Sequence, residues 1–320
     1  MRVSVCVLNV VSRQNAVITK IGKSMKYLVI VSLATLAILG CASDRNAAQS
    51  GERVLGANSR VGNGTVSSYA EFDRNGAPKA IGVIFQASAL EGLPATGSDG
   101  HHCFDENKDG KIDAAKECEA TYERVIPLPS DTTRRSDIPF KWVGLNWNPH
   151  GHIPPGVYDL PHFDVHFYME PIENVFAIGS GACGPEFVRC DQFKIATRPL
   201  PSNYMHPDYK NVGAVAPAMG NHLIDPSSPE FHKKRFTRTF IFGVYDGRLT
   251  FYEEMLTREY MLSRPDACFP IKSPPAVGVT GYYPTQSCIR FLPESSEYTV
   301  SLEGFALREP SAPKAATAKR

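Results

Sequence analysis

No part of this sequence carries a phosphate-cradling glycine loop or a dinucleotide-binding glycine fingerprint. There is no C-x-x-C pair, so a small cysteine-rich zinc module is disfavoured. Ser180 lies in "IGSGACG", which is not G-x-S-x-G, and no strand–elbow–helix pattern surrounds it. Charge of one sign is also missing: 34 basic residues face 33 acidic ones, and no basic run suggests a nucleic-acid partner. Long helices have little room among 25 prolines and 25 glycines.

What the chain does have begins at its N-terminus. "MKYLVIVSLATLAILGC" starts at Met25 and puts a single Lys26 before an apolar run that ends at Cys41. The run is too short to span a bilayer stably and reads as a secretory signal. Its ending resembles a bacterial lipobox, which implies that Cys41 is lipidated and that the protein is exported and anchored to the cell envelope. Ala42 after the cysteine favours the outer membrane. Residues 1–41 are therefore expected to be a leader. Its five basic residues are opposed by no acid, so 34 less five leaves 29 basic against 33 acidic, a net charge of −4. Membrane association is expected from the lipid.

Residues 42–64 are polar and small and read as a flexible tether, and residues 310–320 read as a disordered tail. Between them, one β-rich domain is expected over 65–309 with no repeat. "TVSSYAEFD" and "KAIGVIFQA" read as a hairpin, and "EYTVSLEGFAL" as a further strand. "FTRTFIFGVYDGRLTFYEEML" reads as two strands joined at Asp246-Gly247, a dipeptide suited to a type I′ turn. "SSPEFHKKRF" reads as a short helix with Ser228 as cap. The fold class is all-β or strongly β-dominated, a single-domain barrel or sandwich with few short helices.

Six cysteines remain after Cys6 and Cys41, an even number consistent with disulfides in an exported chain. Six allow 15 pairings. Short loops favour Cys103–Cys118, Cys183–Cys190 and Cys268–Cys288.

The first of these loops brackets an acidic segment within 97–120. "DENKDGKIDAAKE" resembles an EF-hand calcium loop, with Asp105, Asn107 and Asp109 at positions 1, 3 and 5 and Gly110 at position 6. Lys111 falls at the backbone-carbonyl position and Asp113 at position 9. Lys116 stands where a bidentate glutamate is expected, and Glu117 comes one residue late. The segment is expected to bind calcium as a structural insertion.

The chemically richest stretch is "LPHFDVHFY". His162, Asp164 and His166 alternate with Phe163, Val165 and Phe167, a period of two that predicts a strand. Neighbours on one strand face stand about 6.6 Å apart, and His162 and His166 about 13 Å, so those two histidines are not expected to share an ion. Other ligands must come from His150 or His152 in "NWNPHGHIPPGVY", from His206 and Asp208, from His222 and Asp225, or from Glu253 and Glu254. The favoured set is His152, His162 and His222 with Asp164 or Glu253 and His166 nearby, suited to Zn, Fe or Mn.

"ALEGLP", "WNPHGHIPPGVYDLPHFDVHFYM", "PAMGNHLID", "FTRTFIFGVYDGRLTFYEEMLT" and "YTVSLEGF" together resemble an uncharacterised family of exported bacterial proteins, a domain of unknown function whose type member comes from a Thermus sigma-E regulon. The resemblance runs from about residue 65 to 308. It implies a β-rich fold and homo-oligomerisation, and supplies no activity. Two positions depart from the family. Ile153 stands where an acidic residue is frequent, and Glu253-Glu254-Met255 replaces E-P-M. Three functions are compatible with this reading. One is an envelope protein with a His/Asp-lined pocket for a small ligand or ion. The others are a cupin-like metal-dependent enzyme and a structural oligomer.

Overall fold

A computed structural model describes residues 53–314. The leader, Cys41, residues 42–52 and residues 315–320 lie outside the described residues.

Two open antiparallel sheets face each other. The first contains β1 (Arg53–Val61), β2 (Gly64–Phe72), β3 (Pro78–Gln86), β15 (Glu297–Glu303), β14 (Gln286–Leu292) and β12 (Asp266–Pro270), in that spatial order. The second contains β4 (Tyr122–Pro127), β5 (Trp142–Asn148), β6 (His162–Tyr168), β11 (Arg248–Thr257), β10 (Arg238–Tyr245), β9 (Gly220–Ile224) and β8 (Lys210–Ala216). A small ribbon pairs β13 (Gly281–Tyr283) with β16 (Ala306–Arg308). Helices are short: α1 (Ser130–Thr133), α2 (Ile172–Phe176), α3 (Cys190–Ala196) and α4 (Arg258–Leu262), with β7 (Ser180–Cys183) between α2 and α3.

The main core lies between the two sheets. Ile81, Val83, Phe85, Val300 and Leu302 from the first sheet meet Val143, Leu145, Phe163, Val165, Phe167 and Phe242 from the second. Phe85 and Phe163 touch edge to face with ring centres 5.3 Å apart. Burying this apolar area is the main drive to pair the sheets.

The chain joins the sheet earlier than its composition suggests. Residues 53–61, read as tether, form strand β1, which pairs with β2 from Arg53↔Glu71 to Val61↔Gly64. β1 is an edge strand whose outer residues are exposed, so it tolerates the polar composition of a linker. Arg53 closes an ion pair with Glu71 at 2.7 Å.

The β10–β11 turn has Asp246 at φ 50° and Gly247 at φ 69°, the two positive values a type I′ hairpin needs. "SSPEFHKKRF" does not make the expected helix. It forms one 3₁₀ turn, Pro229–His232, without a side-chain cap from Ser228, and stops at Lys233 at φ 63°. "EYTVSLEGFAL" is two strands, β15 and β16, split by Gly304 at φ 64°.

Disulfides join Cys103 to Cys118, Cys183 to Cys190 and Cys268 to Cys288. Cys268 and Cys288 are register partners across β12 and β14. Among the described residues no helix is long and apolar enough to cross a membrane.

Candidate metal centre

Strand β6 is buried on both faces. Phe163, Val165 and Phe167 point into the core between the sheets, so His162, Asp164 and His166 project from the other side of the second sheet. The antiparallel register completes that polar face. On one flank, β5 sets Asn148 beside His162 and Asn146 beside Asp164. On the other, β11 sets Glu253 beside His166 and Met255 beside Asp164.

Two separate groups of ligand-type side chains result. Each contains two histidines and one carboxylate whose donor atoms all lie within 4.8 Å of one another.

The first group is His152, His162 and Asp164. His152 Nε2 is 3.3 Å from Asp164 Oδ2, and His162 Nε2 is 3.1 Å from Oδ1. His152 Nδ1 faces the Ile153 carbonyl at 2.8 Å, and His162 Nδ1 faces the Leu160 carbonyl at 2.6 Å. Those carbonyls only accept, so both Nδ1 atoms are N–H donors and Nε2 is the ring nitrogen that faces the carboxylate. Asn148 Nδ2 donates to Asp164 Oδ2 at 2.6 Å and fixes the carboxylate. His162 Nε2 and Asp164 Oδ1 have no hydrogen-bond partner, although both are buried.

The second group is His166, His222 and Glu253. His166 Nε2 lies 3.4 Å from Glu253 Oε1, and His222 Nε2 lies 3.7 Å from Oε2. His222 Nδ1 donates to the Ala214 carbonyl at 3.0 Å, again leaving Nε2 toward the acid. Both ring nitrogens of His166 and Glu253 Oε2 are buried without a hydrogen-bond partner.

The two groups differ electrostatically. In the first, burial would raise the Asp164 carboxyl, but the facing His162 and His152 rings outweigh it and hold the group well below the usual range. Burial would likewise lower His152, and the Asp164 charge reverses this and lifts it to about 9. In the second, burial pushes His166 down to about 3 and His222 down to about 4. Burial, then the Asp164 and Glu254 charges, push Glu253 well up. Without an ion the first group favours an ionised pair, and in the second burial disfavours charge on every member.

The expected single set of His152, His162 and His222 is not formed. His222 sits on β9, opposite Gly243 of β10, which is itself opposite Phe251 of β11. That path brings His222 to Glu253, whereas the β5–β6 connection carries His152 over Asp164. His162 and His166 fall in different groups, as strand spacing requires. His150 is exposed. His206 lies 3.8 Å from Asp208, and Lys272 joins Asp208 to Asp225, both at 2.6 Å, so these residues form a separate ionic cluster. Glu254 points to the other face of β11, where it meets Arg238.

The acidic loop folds around its own backbone. Glu117 accepts from the N–H groups of Glu106, Asn107 and Asp113, and Asp105 from those of Asp109 and Gly110. Lys116 pairs with Asp113 at 2.9 Å. No group of three histidine, cysteine or acidic donors forms within this loop among the described residues. The third group that does form, Cys268, Cys288 and Glu303, is closed by the disulfide.

A cavity of about 460 Å³ opens beside the two histidine groups. His152, Asp164, His222 and Glu253 line it, together with Glu119 and Glu186 and an apolar wall that includes Met219, Phe231, Ile241 and Met255. Its lining runs from Thr121, next to edge strand β4, to Ala214 on edge strand β8, so the second sheet curls around it.

Sequence reasoning passed over Asn148, Glu119, Glu186 and Gly243. Asn148 shares the strand parity of Asn146, a signal open to reading. Gly243 gave none. A Cβ built there would lie 1.9 Å from the Phe251 ring, which packs on His166 and His222 at 5.0 and 5.1 Å between ring centres. Gly243→Ala is expected to cost about 1–3 kcal/mol in urea unfolding through overpacking. It should also shift the ring NMR signals of His166 and His222 while leaving those of His152 and His162 in place. Unmoved signals would show that Phe251 does not position the second group.

No family model, no curated protein and no solved structure matches the chain.

Proposed function

We propose that this chain is an exported, lipid-anchored β-sandwich that binds first-row divalent metal ions at a ligand cavity, one ion in each two-histidine, one-carboxylate group. A single observation carries the reading. Three of the four histidines donate Nδ1–H to a backbone carbonyl, so Nε2, the nitrogen left to bind a metal, faces a carboxyl group. Ligand atoms about 2 Å from one ion lie at most about 4 Å apart. The nitrogen–oxygen spacings of 3.1 to 3.7 Å meet that condition. Two imidazoles and one carboxylate suit Zn, Fe or Mn and leave coordination positions for water or a cavity ligand. The carbonyls that hold Nδ1 are the outer partners that orient metal-binding imidazoles.

Elemental analysis tests this on the full chain purified without a histidine tag and dialysed against zinc, manganese or ferrous ion. Two equivalents per chain are expected, falling to one in His162→Ala and to one in His222→Ala. A wild-type protein that retains no transition metal overturns the reading. We propose calcium for the acidic loop on its spacing alone. The same protein titrated with calcium should give heat at millimolar concentration, and silence there refutes it.

A further inference from the structure

Glu119 is the most poorly satisfied carboxyl beside the cavity. It lines the cavity, is 9% exposed, and neither of its oxygens has a hydrogen-bond partner. Burying such a group without partners is costly, so its retention calls for something that satisfies it. Glu123 and Asp99, whose charges act on it, have partners of their own. Glu123 is paired with His102 at 3.1 Å, and Asp99 accepts from the Glu123 backbone N–H at 2.7 Å.

What Glu119 lacks is a cation, because the His152 imidazolium in the lining is paired with Asp164. The residues lining the cavity include four carboxyl groups, Glu119, Glu186, Asp164 and Glu253, and no lysine or arginine. A metal ion does not fit at Glu119 either. The groups of three ligand-type side chains among the described residues include neither Glu119 nor Glu186. Val212, Met219, Phe231 and Met255 give the lining an apolar wall, and Thr121, Asn148 and Tyr158 add neutral polar groups. The volume of about 460 Å³ matches sites that enclose small organic molecules.

We infer that the cavity binds a small organic amine, with its protonated nitrogen held by Glu119 and Glu186 and its apolar body against the hydrophobic wall. The bond is charge-assisted and buried, the setting in which such contacts are strongest. Burial, followed by the charges of Glu186, Glu123 and Asp99, raises the Glu119 carboxyl in the empty cavity. An ammonium group would relieve that repulsion, whereas a carboxylate ligand would add to it. This inference shares the cavity of the proposed metal centre but uses different residues.

The test compares three probes of one shape, 2-phenylethylamine, 2-phenylethanol and phenylacetate, by isothermal titration of the full chain. The amine should bind at least about tenfold more tightly than the alcohol, the factor of one hydrogen bond to a charged group, and phenylacetate should not bind. Glu119→Gln should lose about that factor for the amine and leave the alcohol unchanged. Glu186→Gln, at a half-buried position, should lose about threefold and serves if the first variant does not fold. Equal affinity for amine and alcohol in the wild type, or an amine affinity untouched in both variants, overturns the inference. Metal content measured on the same samples keeps the two readings apart. A metal-free wild type that prefers the amine sinks only the metal centre, and a metal-loaded one without that preference sinks only the amine.

Discussion

In metal-free protein, Asp164→Ala will lower stability to urea by about 3–5 kcal/mol, while Glu253→Gln will lower it by less than about 1 kcal/mol. Both carboxyls are buried and both face two histidines, yet their states differ. Asp164 is ionised, accepts from Asn148 at 2.6 Å, and faces His152 and His162 at 3.3 and 3.1 Å. Removing it leaves the half-buried His152 imidazolium without its partner, the costly way to break an ion pair. Burial pushes the Glu253 carboxyl up and disfavours its charge, so an amide of the same shape changes little. Saturating zinc should then separate the variants differently. At one hundred times Kd, each occupied site adds about 2.7 kcal/mol. Glu253→Gln should forfeit that gain at the second group while keeping it at the first.

The pH dependence of the metal-free protein follows from the same pair. His152 is raised to about 9, so its contribution is complete below the unfolded value near 6.5 and fades as pH rises through 9. Asp164 is lowered, so its contribution is present above about 3.9 and is lost as pH falls toward its folded value. Zinc reverses the alkaline limb, because the metal competes with the proton on Nε2 and binds better as pH rises. Urea unfolding from pH 5 to 10, in EDTA and in zinc, measures both. A metal-free stability that rises between pH 7 and 10 would contradict the ionised pair, as would equal losses in the two variants.

How much of this was readable in the chain depends on the range of the signal. The period of two in "HFDVHFY" fixes which side chains share a face, since Cβ atoms alternate along any strand. It also separates His162 from His166 by distance alone. The partners across the sheet are not local. Glu253 meets His166 because of the β6–β11 register, and a slip by one residue would have turned its side chain to the core. His222 reaches Glu253 through two further strand pairings, which is why grouping by residue type placed it with His152. Asp246-Gly247 was legible because few dipeptides tolerate two positive φ values. β1 was not, because an edge strand with a solvent face has the composition of a linker. Glu119 looked like one acid among many in an acidic segment. Its burial comes from how the chain after Cys118 closes on the cavity, which no spacing records.

The core holds a second buried ion pair, and it supports the other large prediction. Glu254 lies on the inner face of β11 with no exposed surface. Arg238 of β10 grips it through two nitrogens, with Nε 2.7 Å from Oε1 and Nη2 on Oε2. Ser287 of β14 donates to Oε2 at 2.7 Å, so the pair pins the second sheet to the first. The guanidinium also lies 4.3 Å from the Phe269 ring centre on β12. Glu254→Ala should cost about 3–5 kcal/mol in urea unfolding, because it leaves the arginine charge buried and unpaired. Arg238→Met should cost a similar amount for the opposite charge. The double variant Arg238→Met with Glu254→Leu should recover most of the loss and can equal the wild type, since desolvating two charges offsets much of their attraction. A double-mutant cycle isolates that coupling. Single losses below about 1 kcal/mol would mean that water reaches the pair and screens it, and additive losses would mean that the two charges do not depend on each other.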